Sequence, residues 1–182
     1  MANPTTSFDT AQLLKLLEDT RREVHAAVEG LGAAEACACP APGRWSALEC
    51  LEHVTTVEQR LLGRLQNAVS SDNPATDVPA MDKQREAALL EQISSRVQRV
   101  EAPELARPSG RYVDLSEALA AFDAARAHTV SFAQVNHSGL YSIAESHPRF
   151  GLLNGYEFVT IIAAHSRRHS EQLREVRGAV AG

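Results

Sequence analysis

The sequence predicts an all-α protein: a four-helix bundle with a long crossover, itself containing an extra helix, between core helices 2 and 3. Three observations lead there. Aromatic residues make up only 5% of the 182 residues while Ala, Leu, Glu, Gln and Arg are common, a helix-favouring composition. Four long segments repeat apolar residues at steps of three, four or seven, the period of a helix with one buried face. Three of those four open with a capping residue three positions ahead of a Glu. There is no alternating strand of useful length, no G-x-G-x-x-G, no Walker A and no G-x-S-x-G, so dinucleotide-binding, P-loop and serine-hydrolase readings have no motif to rest on.

The first helix is expected from about Phe8 to Glu29, with Leu13, Leu17, Val24, Val28 and Leu31 on one stripe. Gly30 and Gly32 stop it, and "GAAEACACPAPGRW" should hold no helix. The second starts at Ser46, which forms a capping box with Glu49, and buries Cys50, Val54, Val57, Leu61 and Leu65 before ending between Asn67 and Asp72. A loop, a polar helix over Met81 to Val100 and a second loop, "APELARPSGRY", then make the crossover. The third core helix opens at Asp114 with Glu117 at its third position and ends near Asn136 to Gly139; Leu115, Leu119, Phe122, Thr129 and Phe132 form its inner face. "HSGLYSIAESHPRFGLL" reads as an irregular connector. The last helix opens at Asn154 with Glu157 and runs to about Arg177, with Gly178 placed to end it.

Length and composition fit one domain over residues 1–182. A net charge of −5 argues against a nucleic-acid partner, which would need a basic face. No apolar run is long enough for a membrane span and the N-terminus lacks the features of a signal peptide, so a cytoplasmic protein with no membrane partner is expected. The three cysteines, Cys37, Cys39 and Cys50, are odd in number and do not form a C-x-x-C, so they are expected to be small, partly buried residues rather than a disulfide or zinc framework.

The chemistry concentrates in the last helix. His165 and His169 are four residues apart and share the stripe of Phe158, Ile161, Ile162, Leu173 and Val176, so both imidazoles point the same way. Such a pair can share a metal ion, or each ring can be a neutral core residue satisfied by one hydrogen bond. A third ligand would decide between these readings. His53, at the inward edge of helix 2, is the best candidate. Three neutral imidazoles would suit Zn²⁺, Ni²⁺ or Fe²⁺ and leave a position for water or substrate. Ser166 follows His165 where a zincin protease needs Glu, and no Glu-x-x-His is present, so the zincin and di-iron carboxylate readings fail. His25, His128 and His137 have no assigned role, and His147 either lines the mouth of a site or belongs to a turn. Glu52 and Glu157 are candidates for a general base by position alone; capping for Glu157 and a solvated side chain for Glu52 are the stronger readings.

"WSALECLEHV" (Trp45 to Val54) and "HPRFGLLNGYEFVTIIAAHSRRHSEQL" (His147 to Leu173) resemble the signature blocks of DinB/YfiT-like proteins: a Trp-Ser...Glu...His start to helix 2, a His-Pro-x-Phe-Gly connector and a final H-x-x-x-H-x-x-Q. The resemblance spans nearly the whole chain. It implies an up-down-down-up bundle and a metal site of His53, His165 and His169. Gln172 matches the family's Gln as a packing residue or one supporting a ligand, and family members are often dimers, so a homodimer is implied. Activity varies within the family. Some members resemble metal-dependent transferases that use a low-molecular-weight thiol, and others are regarded as metal-dependent hydrolases. The expected function is therefore a metal-dependent S-transferase acting on a small-molecule substrate. The alternatives are a hydrolase of small amides or esters and a non-catalytic, stress-related metal-binding or interaction protein.

Overall fold

The computed structural model describes residues 4–70, 77–80, 82–97 and 101–180. Helices α1 (Pro4–Val28), α3 (Ala47–Val69), α5 (Leu115–Val135) and α6 (Gly155–Val180) form the bundle. Helix α2 (Ala33–Cys37) lies in the first loop and α4 (Lys83–Ser94) in the crossover; strands β1 (Ala144–His147) and β2 (Gly151–Asn154) form an antiparallel hairpin before α6.

The side-chain contacts fix the helix directions. Glu23 meets Arg167 and the Ala26 carbonyl meets Arg177, so α1 and α6 run parallel. The Leu17 carbonyl meets Arg126 while His25 meets Asp123, so α1 and α5 run antiparallel. Arg64 lies over Phe158 while His53 meets His165, so α3 and α6 are antiparallel. The order is up-down-down-up. Successive helices α3 and α5 therefore point the same way, and the chain must travel back along the bundle between them. Helix α4 makes that return beside α6, with Lys83 at Tyr156 and Arg96, just beyond its end, at Gln172 and Glu175.

The three expected caps all form. The Ser46 hydroxyl accepts from the Glu49 N–H at 3.2 Å while Glu49 accepts from the Ser46 N–H at 2.7 Å. Asp114 accepts from the Glu117 N–H, and Asn154 and Glu157 each accept from the other's N–H. At α6 the start is also fixed sterically, because a Cβ on Gly155 would lie 2.7 Å from the Leu140 carbonyl oxygen.

Several boundaries differ from the sequence expectation. Helix α1 begins at Pro4, ahead of Phe8. The Gly- and Pro-rich loop does hold a short helix, α2, because Glu35 caps the Gly32 N–H and Ala36 is buried against the bundle. Helix α4 is confined to Lys83–Ser94, opened by Asp82 accepting from the Gln84 and Arg85 N–H groups; Met81 and residues 98–100 of the expected helix lie outside the described residues. The connector is an ordered hairpin turned by Gly151 at φ +73°, the left-handed region that glycine favours. Gly178 does not end α6, which continues to Val180: with no left-handed conformation there, the helix has no reason to stop.

Two apolar clusters fill the interior. One gathers Leu13, Leu17, Leu61, Leu65, Phe132, Phe158 and Ile162; the other Val24, Leu51, Val54, Phe122, Leu173 and Val176. On every bundle helix the residues between the two clusters are polar and buried: Thr20 on α1, Glu58 on α3, Arg126 and Thr129 on α5, and Ser166, His169 and Ser170 on α6. This seam positions the site.

Candidate metal centre

The structure brings His53, His165 and His169 together. One ligand-type nitrogen from each lies within 4.8 Å of the others, and among the described residues the cluster comprises these three. Ring centroids are 4.4 Å apart for His165–His169, 4.7 Å for His53–His169 and 5.1 Å for His53–His165. The i, i+4 spacing on α6 aligns two rings, and the antiparallel packing of α3 supplies the third. His53 and His169 are buried; His165 is partly exposed, so the cluster opens to the surface on its side.

The hydrogen bonds define the chemistry further. His53 Nδ1 lies 2.6 Å from the Ala106 carbonyl oxygen. A carbonyl only accepts, so Nδ1 carries the proton, and neutral His53 presents a lone pair at Nε2. That Nε2 is 3.2 Å from His165 Nε2. The buried Nδ1 of His169 has no hydrogen-bond partner. Trp45 covers His53 at a centroid distance of 4.8 Å. Burial lowers the pKa of all three histidines; for His165 the charges of His53 and Arg168 add to it, and for His169 those of His165, His53, Arg168 and Arg96. The cluster therefore favours neutral imidazoles, the form that ligates a metal.

The crossover closes one wall. Ala106 belongs to a single turn of 3₁₀ helix, Glu104–Ala106. Three residues later, Ser109 donates to Glu52 through both its N–H and its hydroxyl, and the Gly110 and Arg111 N–H groups donate to the other carboxylate oxygen. Burial pushes the Glu52 carboxyl up, but these four bonds outweigh it and hold it below the usual range. Glu52 is thus buried, not solvated, and its oxygens are engaged. Neighbouring residues on α3 clamp one strap, His53 through its ring and Glu52 through its carboxylate.

Glu157 is fully buried, caps α6 and pairs with Arg85 at 2.9 Å. Burial raises its pKa, with Asn154 and Arg85 opposing. Gln172 accepts from Arg96 at 3.2 Å, tying α6 to the crossover. His25 has a partner that the sequence did not reveal, Asp123 at 2.8 Å; His128 is exposed; His137 lies against the Gln134 carbonyl. His147 stacks on Phe150 and accepts from the Arg149 N–H, so it organises the hairpin turn. Cys37, the last residue of α2, and Cys39, just beyond it, are exposed, contrary to expectation; Cys50 is buried, which pushes its thiol up to about 12.

Sequence reasoning missed the other half of the polar seam. Arg126, 1% exposed, donates through Nε and Nη2 to the two oxygens of Glu58 at 2.8 and 2.9 Å, through Nη1 to Thr20 and the Leu17 carbonyl, and through Nη2 to Ser166. Thr129 completes it with a bond to Glu58. The available signal was the spacing of Arg126 four residues after Phe122 and three before Thr129, both inner-face residues.

The fold agrees with a solved structure. YfiT from Bacillus subtilis, described as a probable metal-dependent hydrolase with an unusual four-helix bundle topology, is 14% identical; the match covers 92% of this chain and 85% of that one, with a TM-score of 0.60. No curated protein matches the chain. The sequence profile of the DinB superfamily matches residues 16–173, a span that takes in α3, the crossover and all three histidines. A match over that much of the chain is decisive where a likeness of folds would not be: this chain belongs to the DinB superfamily.

Proposed function

We propose that His53, His165 and His169 hold one divalent transition metal ion, Zn²⁺, Ni²⁺ or Fe²⁺, and that the protein is a metal-dependent enzyme acting on a small molecule. The observation that carries this is the three-histidine cluster itself, favouring neutral rings, buried on two sides and reachable at His165. Three imidazoles satisfy a transition metal without closing its coordination, whereas a structural site adds a fourth protein ligand. The bound ion would supply Lewis acidity, which lowers the pKa of a thiol or a water. The chain's own residues have other tasks. Ala106 fixes the tautomer of His53, Trp45 screens its ring from solvent, and Glu52 holds the strap that carries Ala106.

The reaction we favour is transfer of a low-molecular-weight thiol to an electrophile. A thiol needs little help to lose its proton, and the two carboxylates considered as bases, Glu52 and Glu157, are both engaged elsewhere. Hydrolysis of a small amide or ester is the second reading, favoured by the likeness to YfiT, a probable metal-dependent hydrolase. As in the sequence reading, a homodimer belongs to the proposal through the family resemblance alone, and sedimentation tests it.

Metal analysis of the purified protein beside His165→Ala and His169→Ala tests the centre. About one equivalent in the wild type and none in the variants is the expected result for one three-ligand site. Stoichiometric metal in both variants would overturn it. Loaded protein is then offered a thiol with an electrophile, and separately ester and amide substrates. Thiol consumption that the His variants lack supports transfer, and turnover of the ester or amide alone supports hydrolysis.

A further inference from the structure

Residues 103–111 of the crossover are held to the bundle by polar bonds more than by packing. The piece closes on itself: the Ala106 N–H donates to the Pro103 carbonyl at 2.9 Å and the Arg107 N–H to the Glu104 carbonyl at 3.1 Å. Pro103 and Pro108 stiffen it further. Gly110, at φ +79°, turns the chain so that the Gly110 and Arg111 N–H groups reach the same oxygen of Glu52, at 3.0 Å each. Among residues 101–113 Ala106 alone is buried, while Leu105 and Val113 face solvent. Tyr112, just beyond the piece, packs on the core. Two neighbouring residues of α3 supply the attachment, Glu52 through four bonds and His53 through Nδ1 to the Ala106 carbonyl at 2.6 Å. A segment with so few buried apolar contacts opens locally at a lower cost than the bundle unfolds.

The two attachments are linked. Both Glu52 oxygens are taken up by the strap, so Glu52 acts on the histidines through Ala106. With the strap closed, the Ala106 carbonyl keeps the proton on His53 Nδ1 and the lone pair on Nε2, which lies 3.2 Å from His165 Nε2. With the strap lifted, Nδ1 loses its acceptor and the proton can settle on Nε2, where it blocks ligation. The closed strap is therefore the ligating arrangement, and any occupant of the lone pair favours closure by the factor with which closure favours the occupant. We infer that Glu52 is a positioning residue for the centre: by holding residues 103–111 closed it sets the affinity of the three histidines for an ion, and occupancy of the centre holds the same residues closed in return. The inference rests on the metal reading of the cluster. It adds that the affinity is set by backbone 57 to 59 residues from Glu52, in a segment that supplies no ligand.

The test pairs zinc affinity, measured by competition with a chromophoric chelator, with amide exchange in the metal-free and the zinc-loaded protein. Removing the support of a ligating histidine costs about 10- to 100-fold in metal affinity, so Glu52→Ala should bind zinc at least about tenfold more weakly. Glu52→Gln keeps one acceptor oxygen and should fall between Glu52→Ala and the wild type. Gly110→Ala alters neither attachment directly. No atom lies within 4 Å of the added Cβ, and the left-handed φ is what it strains. It should weaken zinc binding too, and it keeps the test open if Glu52→Ala does not fold. Asp82→Ala removes the cap of α4 at the other end of the crossover, so it should cost stability and leave zinc affinity unchanged. In the wild type, zinc should slow exchange at Ser109, Gly110 and Arg111 by about the factor lost in Glu52→Ala. The N–H groups of Asn136 and Gly139, at the C-terminal end of α5, should exchange as before. Unchanged zinc affinity in whichever of Glu52→Ala and Gly110→Ala folds, or exchange at residues 109–111 that zinc does not alter, would overturn the inference and leave the metal reading standing. Equal weakening in Asp82→Ala would make Glu52 a general stabiliser and overturn it as well. Absence of zinc uptake by the wild type would remove the metal reading and the inference together.

Discussion

The seam between the two apolar clusters holds two polar assemblies, and they are built on opposite plans. Around Arg126 each of the five guanidinium N–H groups has an acceptor: both oxygens of Glu58, Thr20, the Leu17 carbonyl and Ser166. Around His169 three rings crowd together and a buried nitrogen has no partner. A core tolerates buried polar groups when they are saturated and is penalised when they are not. The first assembly is complete within the chain. The second is arranged for something added to it. Adjacent residues on α6 serve the two plans, Ser166 the closed network and His165 the open cluster.

Substitution should expose that contrast, and the largest effect is expected in the closed network. Arg126→Ala leaves Glu58 buried without its partner, so unfolding in urea should show a loss of about 3–5 kcal/mol with metal content per folded molecule unchanged. A loss under about 1 kcal/mol would mean the pair is not the seam's structural element. Next comes the open cluster under two conditions. Saturating metal at about 100 times its Kd should stabilise the wild type by about 2.7 kcal/mol, and His169→Leu should abolish that gain. In the metal-free protein the same variant should be neutral or slightly stabilising, because it removes an unsatisfied nitrogen from the core. A large destabilisation of the metal-free variant would erase the distinction between the two assemblies.

A smaller effect is expected at the strap. Glu52→Ala frees the N–H groups of Ser109, Gly110 and Arg111, at a cost of about 1–3 kcal/mol, and amide exchange at those positions should accelerate. Unchanged exchange would remove Glu52 as the clamp. The smallest effect concerns pH. The folded-state pKa values of the three histidines lie below the unfolded value of about 6.5, so the unfolded chain binds protons that the metal-free fold refuses. Stability of the metal-free protein is therefore full above about pH 6.5 and declines as pH falls below it toward the folded-state values. His53→Phe should flatten the decline measured by urea unfolding between pH 7.5 and 5.5, a range chosen to bracket about one histidine titration. An equal slope in that variant would assign the decline to other groups.

The sequence made the periodic and local features legible. The helix stripes and the three caps depend on spacings of three to seven residues, and all four bundle helices formed where those spacings put them. His165 and His169 were readable for the same reason. His53 was within reach because it stood beside a well-defined stripe. What sequence spacing could not show were pairings between distant segments. Arg126 and Glu58 lie 68 residues apart, and charged residues read singly look solvated. Glu52 was expected in solvent because its partners are backbone N–H groups 57 to 59 residues away, which no side-chain pattern reveals. The short α2 survived its Gly- and Pro-rich surroundings because one carboxylate satisfied its first N–H and one alanine found a place against the bundle.

Trp45 has a use beyond covering a ring. It is the chain's single tryptophan, so the indole emission of the whole protein originates 4.8 Å from the centre of His53. Light absorbed there reports on one place. An open-shell ion arriving among the histidines would quench it, a closed-shell ion would shift it by changing the charge beside the indole, and neither signal would be diluted by other tryptophans. The protein carries its own optical probe for the one site whose occupancy matters most, with no label to attach.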